Sequence, residues 1–185
     1  MVLNLVEEWK LEIMTRKTLI AYFSATGNTA AVAKSMATAT GSDIYEIRPS
    51  LPYTIEDLDW TDRNSRSSIE SDDVSSRPSI ADPLEDMSQY DAVMLGFPIW
   101  WYVEPRIIDT FLDSHNIAGK TIVPFATSGG SGIDRAERSL KAGYPQVRWG
   151  KGRLLNHGDA AAWARDTLDI VYEYETQRLV CTYDM

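Results

Sequence analysis

The fold of this chain is decided by one stretch of sequence, Leu19-Ile20-Ala21-Tyr22-Phe23-Ser24-Ala25-Thr26-Gly27-Asn28-Thr29. Its apolar first half predicts a buried strand, and the alanine-rich run from Thr29 to about Thr40 predicts a helix that ends at Gly41. Between them, hydroxyl side chains, free backbone N–H groups and the positive end of a helix are the groups that hold a phosphate. The turn has neither Lys nor Arg, so we expect oriented dipoles to hold the anion.

The rest of the chain repeats the alternation of strand and helix. We predict strands over 17–23, 43–47, 92–97, 121–126 and 147–154, and helices over 29–40, 105–112, 134–141 and 159–174. This order is typical of an α/β fold with a doubly wound sheet. Pro124 removes one hydrogen bond from the fourth strand. The stretch from Pro49 to Pro83 has little periodicity and is predicted to be a long loop, either functional or disordered.

Composition predicts one domain with a substantial core, since the chain has 185 residues of which 44% are hydrophobic. The single cysteine, Cys181, excludes an intrachain disulfide and a cysteine-based metal cluster, which favours a reducing, cytoplasmic location. No apolar run approaches the roughly 18 residues needed to span a bilayer, and acids stand where a signal peptide would be apolar. We therefore expect a protein that is neither secreted nor membrane-embedded.

The charge is concentrated in one part of the chain. Residues 43–91 hold four bases and thirteen acids, a net charge of −9, which equals the net charge of the whole chain. Such a surface repels nucleic acid and acidic membranes, and it attracts a basic protein partner over a distance. Solubility alone is the alternative explanation.

Three loops should meet at one edge of the predicted sheet, because ligands of doubly wound folds bind beyond the carboxyl ends of the strands. The first loop supplies Ser24, Ala25, Thr26, Gly27, Asn28 and Thr29, unless its hydroxyls only cap the helix. The second, Pro98-Ile99-Trp100-Trp101-Tyr102, offers aromatic rings for a flat ligand, although we expect at least one ring to pack inside the protein. The third, Thr127-Ser128-Gly129-Gly130-Ser131, offers backbone groups, or is a simple turn.

Together these three loops resemble the flavodoxin family over about residues 17–170. The resemblance implies a three-layer α/β fold around a five-stranded parallel sheet with strand order 2-1-3-4-5. It also implies one FMN, with its phosphate on Ser24 to Thr29 and its isoalloxazine between the Trp100 and Thr127 loops. Residues 1–16 then form an N-terminal extension, and residues 171–185 form a C-terminal tail.

The use of the flavin stays open at this point. One-electron flavodoxins usually place a glycine beside the flavin, and Pro98 to Val103 contain none. The first hypothesis is an electron-transfer protein that serves redox partners with a basic surface. The second is an FMN-dependent oxidoreductase that uses NAD(P)H and a small acceptor such as a quinone. The third is an interaction module without flavin. Monomer and homodimer both remain open.

No catalytic residue and no metal ligand is predicted. The two histidines, His115 and His157, lack the spacing of a metal site, and no G-x-S-x-G motif is present. Asp159, just before the last predicted helix, is expected to be its cap.

Overall fold

The computed structural model describes the backbone of residues 17–183 and the side chains of residues 17–174. The described residues contain six strands and five helices, which alternate except that the last two strands follow each other. They are β1 (Thr18–Tyr22), α1 (Asn28–Thr40), β2 (Asp43–Glu46), α2 (Arg66–Asp72), β3 (Ala92–Pro98), α3 (Arg106–Asp113), β4 (Thr121–Thr127), α4 (Asp134–Gly143), β5 (Arg148–Trp149), β6 (Arg153–Leu154) and α5 (Ala160–Tyr183).

The strands form a parallel sheet in the order β2-β1-β3-β4-β5, which confirms the order that the family resemblance implies. At the carboxyl edge, Tyr22 of β1 pairs with Gly96 of β3, and Gly96 pairs with Phe125 of β4. The loops after β1, β3 and β4 therefore leave the sheet side by side. This register brings the three predicted binding loops together.

Each face of the sheet carries its own core, because successive residues of a strand point to opposite sides. In β1, Leu19 and Ala21 belong to one cluster, which contains residues of α3 and α4. Ile20 and Tyr22 belong to the other, which contains residues of α1 and α5. The result is the predicted three-layer arrangement.

The fifth strand of the sheet, next to β4, consists of two short pieces, β5 and β6. β5 pairs with β4 at Ile122↔Trp149, and β6 pairs with β4 at Phe125↔Arg153, so one extra residue stands in the edge strand between these pairs. The interruption lies opposite Pro124, which has no N–H to donate. The predicted strand over 147–154 is thus present as two short pieces.

The predicted loop from Pro49 to Pro83 contains a helix, so the expectation of little regular structure is wrong for Arg66–Asp72. The Ser65 hydroxyl accepts a hydrogen bond from the Ser68 N–H and caps this helix. The two ends of the segment meet, since Pro49 and Ile80 form an antiparallel bridge and Ser50 N–H donates to Ser79 O at 2.8 Å.

The predicted boundaries of the domain lie near the two ends of the chain. The expected N-terminal extension, residues 1–16, lies outside the described residues. The backbone of α5 is helical without interruption to Tyr183.

Asp159 caps α5, because its Oδ1 accepts a hydrogen bond from the Ala162 N–H at 2.9 Å, which confirms that prediction. Over residues 17–183, none of the helices has the length and apolar character to cross a membrane.

Candidate functional site

The turn after β1 is closed by one serine. Ser24 Oγ accepts hydrogen bonds from Gly27 N–H at 3.1 Å and from Ala30 N–H at 3.2 Å. The hydroxyl therefore also binds the first turn of α1, although the N-cap residue of this helix is Gly27. Gly27 adopts φ 88°, a left-handed conformation that favours glycine. Thr26, Gly27 and Asn28 are left exposed at the tip of the turn.

Thr29 faces the interior instead. Its side chain is buried, and its hydroxyl shares a 2.9 Å hydrogen bond with the hydroxyl of Thr127. This bond joins the start of α1 to the end of β4. It fixes the first and third loops relative to each other.

The aromatic loop after β3 forms a tight turn. Trp100 and Val103 exchange two backbone hydrogen bonds of 3.0 Å, and the two residues between them have positive φ, 46° at Trp101 and 74° at Tyr102. Positive φ at both central positions is the pattern of a type I′ turn, which normally takes Asn-Gly. The turn holds the rings of Trp101 and Tyr102 partly in solvent, with 37% and 53% exposure.

Trp100 packs inward. Its ring meets Phe23 edge-on at a centroid distance of 5.5 Å and Tyr53 edge-on at 5.1 Å. This confirms the expectation that at least one ring of the loop packs inside the protein. The contact also ties the segment that carries Tyr53 to the end of β1.

The third loop is held by Ser128 and by a residue after β6. Ser128 Oγ accepts from Gly130 N–H at 3.1 Å and from Ser131 N–H at 2.7 Å. The Asn156 side chain accepts from Ser128 N–H at 2.7 Å and donates its amide to Ser128 O. Both ends of the Asn156 amide are thus used to orient the loop.

Two adjoining clefts lie between the three loops, with volumes of about 580 Å³ and about 700 Å³. Residues from all three loops line both of them; the shared ones are Thr26, Pro98, Ile99, Trp100, Ser128 and Gly129. The larger cleft continues along α1 to Asn156 and His157. The smaller one is closed by the aromatic turn. The predicted convergence of the three loops is confirmed.

Most of the predicted site residues line these clefts. They are Ala25, Thr26, Asn28, Pro98, Ile99, Trp100, Trp101, Tyr102, Thr127, Ser128, Gly129, Gly130 and Ser131. Ser24, Gly27 and Thr29 build the turn beside them and are not among the lining residues.

Sequence reasoning missed eight lining residues that come from outside the three loops. They are Leu58, Trp60 and Ser67 at the smaller cleft, and Ala31, Val32, Leu155, Asn156 and His157 at the larger one. Asn156 lies in the loop after the fifth strand. Ligands of doubly wound folds bind beyond the carboxyl ends of the strands, so the same rule predicts this loop as part of the site. Nothing local in the sequence signals that the segment with Trp60 folds back over the cleft.

A cluster of buried polar side chains lies next to the aromatic turn. Glu104, directly after the turn, is 2% exposed, and its Oε1 accepts from the Ser139 hydroxyl at 2.6 Å. Arg106 lies 3.9 Å from the same oxygen and 3.3 Å from Asp109 Oδ2. Burial raises the pKa of Glu104 to about 7 and also raises the pKa of Asp109. Glu104 therefore takes up a proton in the physiological range.

The clefts themselves contain little charge. None of the described residues that line the smaller cleft is charged, and His157 is the one titratable side chain among those lining the larger cleft. Over the described part of the chain, no group of three or more His, Cys, Asp or Glu side chains is arranged to hold a metal ion. Any anion at Thr26 and Asn28 would thus be bound by neutral donors.

Comparison with known proteins gives the family of the chain. Crystal structures of proteins assigned as flavoproteins from Bacteroides uniformis and Bacteroides eggerthii share 50% and 51% identity with it. They match 81% and 83% of this chain and 98% and 96% of their own, with TM-scores of 0.78 and 0.79.

A more distant structure shares the fold. It is a flavoprotein from Lactobacillus acidophilus in complex with FMN, with 23% identity, a TM-score of 0.63, and 75% and 93% of the two chains covered. Among curated proteins, none matches the sequence. The sequence profile of the family described as Flavodoxin matches residues 17–169. The chain therefore belongs to the flavodoxin family.

Proposed function

We propose that this protein binds one FMN non-covalently in the paired clefts and transfers electrons through it. The observation that carries the proposal is the joint placement of an exposed, glycine-containing turn at a helix start and an aromatic turn around one continuous groove. FMN has an anionic phosphate at one end and a flat conjugated ring at the other. The FMN complex of the Lactobacillus acidophilus flavoprotein, which has the same fold, supports this proposal.

The phosphate end fits the turn after β1. The backbone of Thr26 to Asn28 and the side chains of Thr26 and Asn28 are exposed there, at the start of the 13-residue helix α1. Gly27 carries no Cβ, and a Cβ built there would meet no atom within 4 Å, so the approach to its backbone is open. Helix N–H groups and hydroxyl donors suit a phosphate even without a cation.

The ring end fits the two remaining loops. The exposed faces of Trp101 and Tyr102 offer stacking surface, and the 128–131 turn offers backbone groups to the polar edge of the ring. The uncharged lining suits the neutral oxidised ring. When bound, the flavin supplies one-electron or two-electron chemistry, while the protein supplies position and electrostatics.

The acidic segment affects the reduction potential that we expect for the flavin and the kind of redox partner that we expect. Residues 43–91 carry a net charge of −9, and residues of this segment line the smaller cleft. Negative charge nearby disfavours an anionic reduced ring, so we expect a low reduction potential. If the protein is a carrier, the same charge would steer a redox partner with a basic surface.

A second candidate function is an FMN-dependent oxidoreductase that uses NAD(P)H and a small acceptor. It is favoured by the aromatic wall that Trp60 and Tyr102 add at the outside of the smaller cleft. Steady-state kinetics separates the two functions. Rapid NAD(P)H oxidation by the purified protein with a quinone would contradict a pure carrier, whereas turnover only after addition of a separate reductase would contradict the enzyme.

Thr26→Asp tests FMN binding. A carboxylate at the tip of the turn should repel the phosphate and abolish FMN retention, because none of the described residues that line the clefts is a Lys or Arg that could offset it. The matched control is Thr26→Asn, which has nearly the same shape without the charge and should retain FMN. The measurement is the visible spectrum after FMN addition and gel filtration. A protein that never takes up FMN, or a Thr26→Asp variant that retains it fully, would contradict the proposed site.

A further inference from the structure

Another cavity lies at the β5–β6 edge of the sheet, away from the three loops. It is a groove of about 450 Å³ between residues 150–153 and one face of α5, and we call it the edge groove. Among the described residues, none that lines the edge groove also lines either cleft of the proposed flavin site. Its volume is in the range of small-molecule sites, which is about 300–1,000 Å³.

The floor of the edge groove is apolar because the edge strand has a glycine there. A Cβ built on Gly150 would lie 2.6 Å from Val123 Cγ2, so the strand backbone packs directly on the buried Val123 side chain. Val123 and Gly150 both line the groove.

The helix side of the edge groove is also apolar. Four residues of α5 line it at the spacing i, i+4, i+7 and i+8, so they share one face of the helix. Ile170, one of the four, is 67% exposed. Ala164 and Leu168, on a neighbouring face, are buried in the core instead. The four lining residues are Trp163, Thr167, Ile170 and Val171.

The edge groove has two cations at its rim. Lys151 and Arg153 are exposed, and within the described part of the chain neither side chain has a hydrogen bond or an ion pair. None of the described residues that line the groove is acidic. Glu137, which accepts from Gly152 N–H at 2.8 Å, belongs to α4 on the opposite face of the sheet and pairs with Lys141. The groove therefore combines an apolar interior with a positive rim.

We infer that the edge groove is a second ligand site, which binds an aromatic organic anion: a flat apolar ring with one carboxylate or sulfonate group. The Trp163 indole and the apolar floor contact the ring, and Lys151 and Arg153 bind the anionic group. A polyanion such as nucleic acid is repelled by the net charge of −9, whereas a single charge gains more from the two cations at short range. The site goes beyond the proposed function and does not depend on it.

The test compares 2-naphthalenesulfonate with 2-naphthalenesulfonamide, which has nearly the same shape and no charge at neutral pH. Equilibrium dialysis against the FMN-loaded protein measures both affinities while the proposed flavin site is occupied. The sulfonate should bind roughly 2- to 30-fold more tightly than the sulfonamide, the effect of two exposed charge contacts. Added salt should weaken binding of the sulfonate and leave binding of the sulfonamide unchanged.

Three variants locate the ligand in the edge groove. Lys151→Gln and Arg153→Gln should each weaken sulfonate binding roughly two- to fivefold and leave sulfonamide binding unchanged, because each removes one charge contact. Ile170→Ala should weaken both ligands equally, by roughly two- to fourfold, because it removes apolar contact that both ligands make. All three positions are exposed, so the variants should fold as the unmodified protein does.

Lys34→Gln is the matched control, because Lys34 is an exposed cation of α1 that does not line the edge groove. It should bind both ligands as the unmodified protein does. Equal affinity for sulfonate and sulfonamide would overturn the inference, and so would an equal loss in Lys34→Gln and Lys151→Gln, since net charge alone would then act.

The same dialysis before FMN loading separates the edge groove from the flavin site. The sulfonate affinity should be the same before and after loading. A loss of affinity on loading would overturn the inference, because the anion would then occupy the clefts between the three loops. A protein that takes up no FMN would contradict the proposed function alone, and sulfonate binding that Lys151→Gln weakens would still support the edge groove.

Discussion

At the scale of single residues, the aromatic turn carries the main conformational cost of the site. Trp101 and Tyr102 adopt φ 46° and 74°, in the left-handed region that residues with a Cβ avoid. Each such residue costs on the order of 1–3 kcal/mol and persists where its surroundings over-determine it. Here Trp100 is packed between Phe23 and Tyr53, and the Arg135 guanidinium lies 4.9 Å from the Tyr102 ring centroid.

Comparing Tyr102→Gly with Tyr102→Ala isolates this cost. Both variants remove the ring and its contact with Arg135, but only glycine is at ease at positive φ. We expect Tyr102→Gly to be more stable than Tyr102→Ala by about 1 kcal/mol in urea unfolding. Equal free energies of unfolding for the two variants would mean that Tyr102 is not held in the left-handed region.

At the scale of elements, the split edge strand decides which residue reaches the third loop. The extra residue between β5 and β6 shifts the chain by one position relative to β4. Asn156 lies two residues after the end of β6 and binds both the N–H and the C=O of Ser128. The close approach depends on small residues, because a Cβ on Gly152 would lie 2.8 Å from Pro124 Cγ and 2.9 Å from Pro124 O.

Gly152→Ala should therefore be destabilising. The added methyl overlaps a backbone oxygen that cannot rotate away, and we expect a loss of about 1–3 kcal/mol in the free energy of unfolding. Gly143→Ala is the control, since a Cβ there meets no atom within 4 Å, and it should change stability by no more than about 0.5 kcal/mol. A Gly152→Ala variant as stable as the control would contradict the tight packing of the edge strand.

At the scale of the whole molecule, two kinds of carboxyl group respond to pH in opposite ways. Hydrogen bonds from Thr61, Ser75 and Ser88 lower the pKa values of the exposed carboxyls of Asp59, Asp73 and Asp86. Their contribution to stability is lost as the pH falls through those lowered values. Burial raises the pKa of Glu104 to about 7, so the folded state holds its proton longer than the unfolded state.

Glu104 should make stability fall as the pH rises. Its contribution is fully present below its unfolded pKa of 4.5 and is lost as the pH rises through about 7, roughly 3 kcal/mol in total. Glu104→Gln resembles the protonated form and keeps an acceptor for Ser139, so the decrease should become smaller. The measurement is urea unfolding between pH 4.5 and 8. Glu85→Gln, at an exposed position, should keep the original slope, and an unchanged slope in Glu104→Gln would contradict the assignment.

The sequence alone predicted the sheet and most of the residues that line the clefts, because apolar runs such as Leu19 to Phe23 are typical of buried strands. The loops after those strands then follow from the parallel register. Helix α2 was missed because its stability comes from distant partners such as Arg106, which binds Ser71 O. The left-handed turn at Trp101 was missed for a similar reason, since its sequence contains no residue that prefers positive φ.

The bridge between Pro49 and Ile80 has a consequence for how this family can diversify. The chain leaves and re-enters the body of the protein at nearly the same point, so the residues between can lengthen, shorten or be exchanged at a modest entropic cost. The turn after β1 and the sheet lie outside that segment and need not change with it. Relatives can thus differ at the cleft entrance while they keep the same sheet and the same turn after β1.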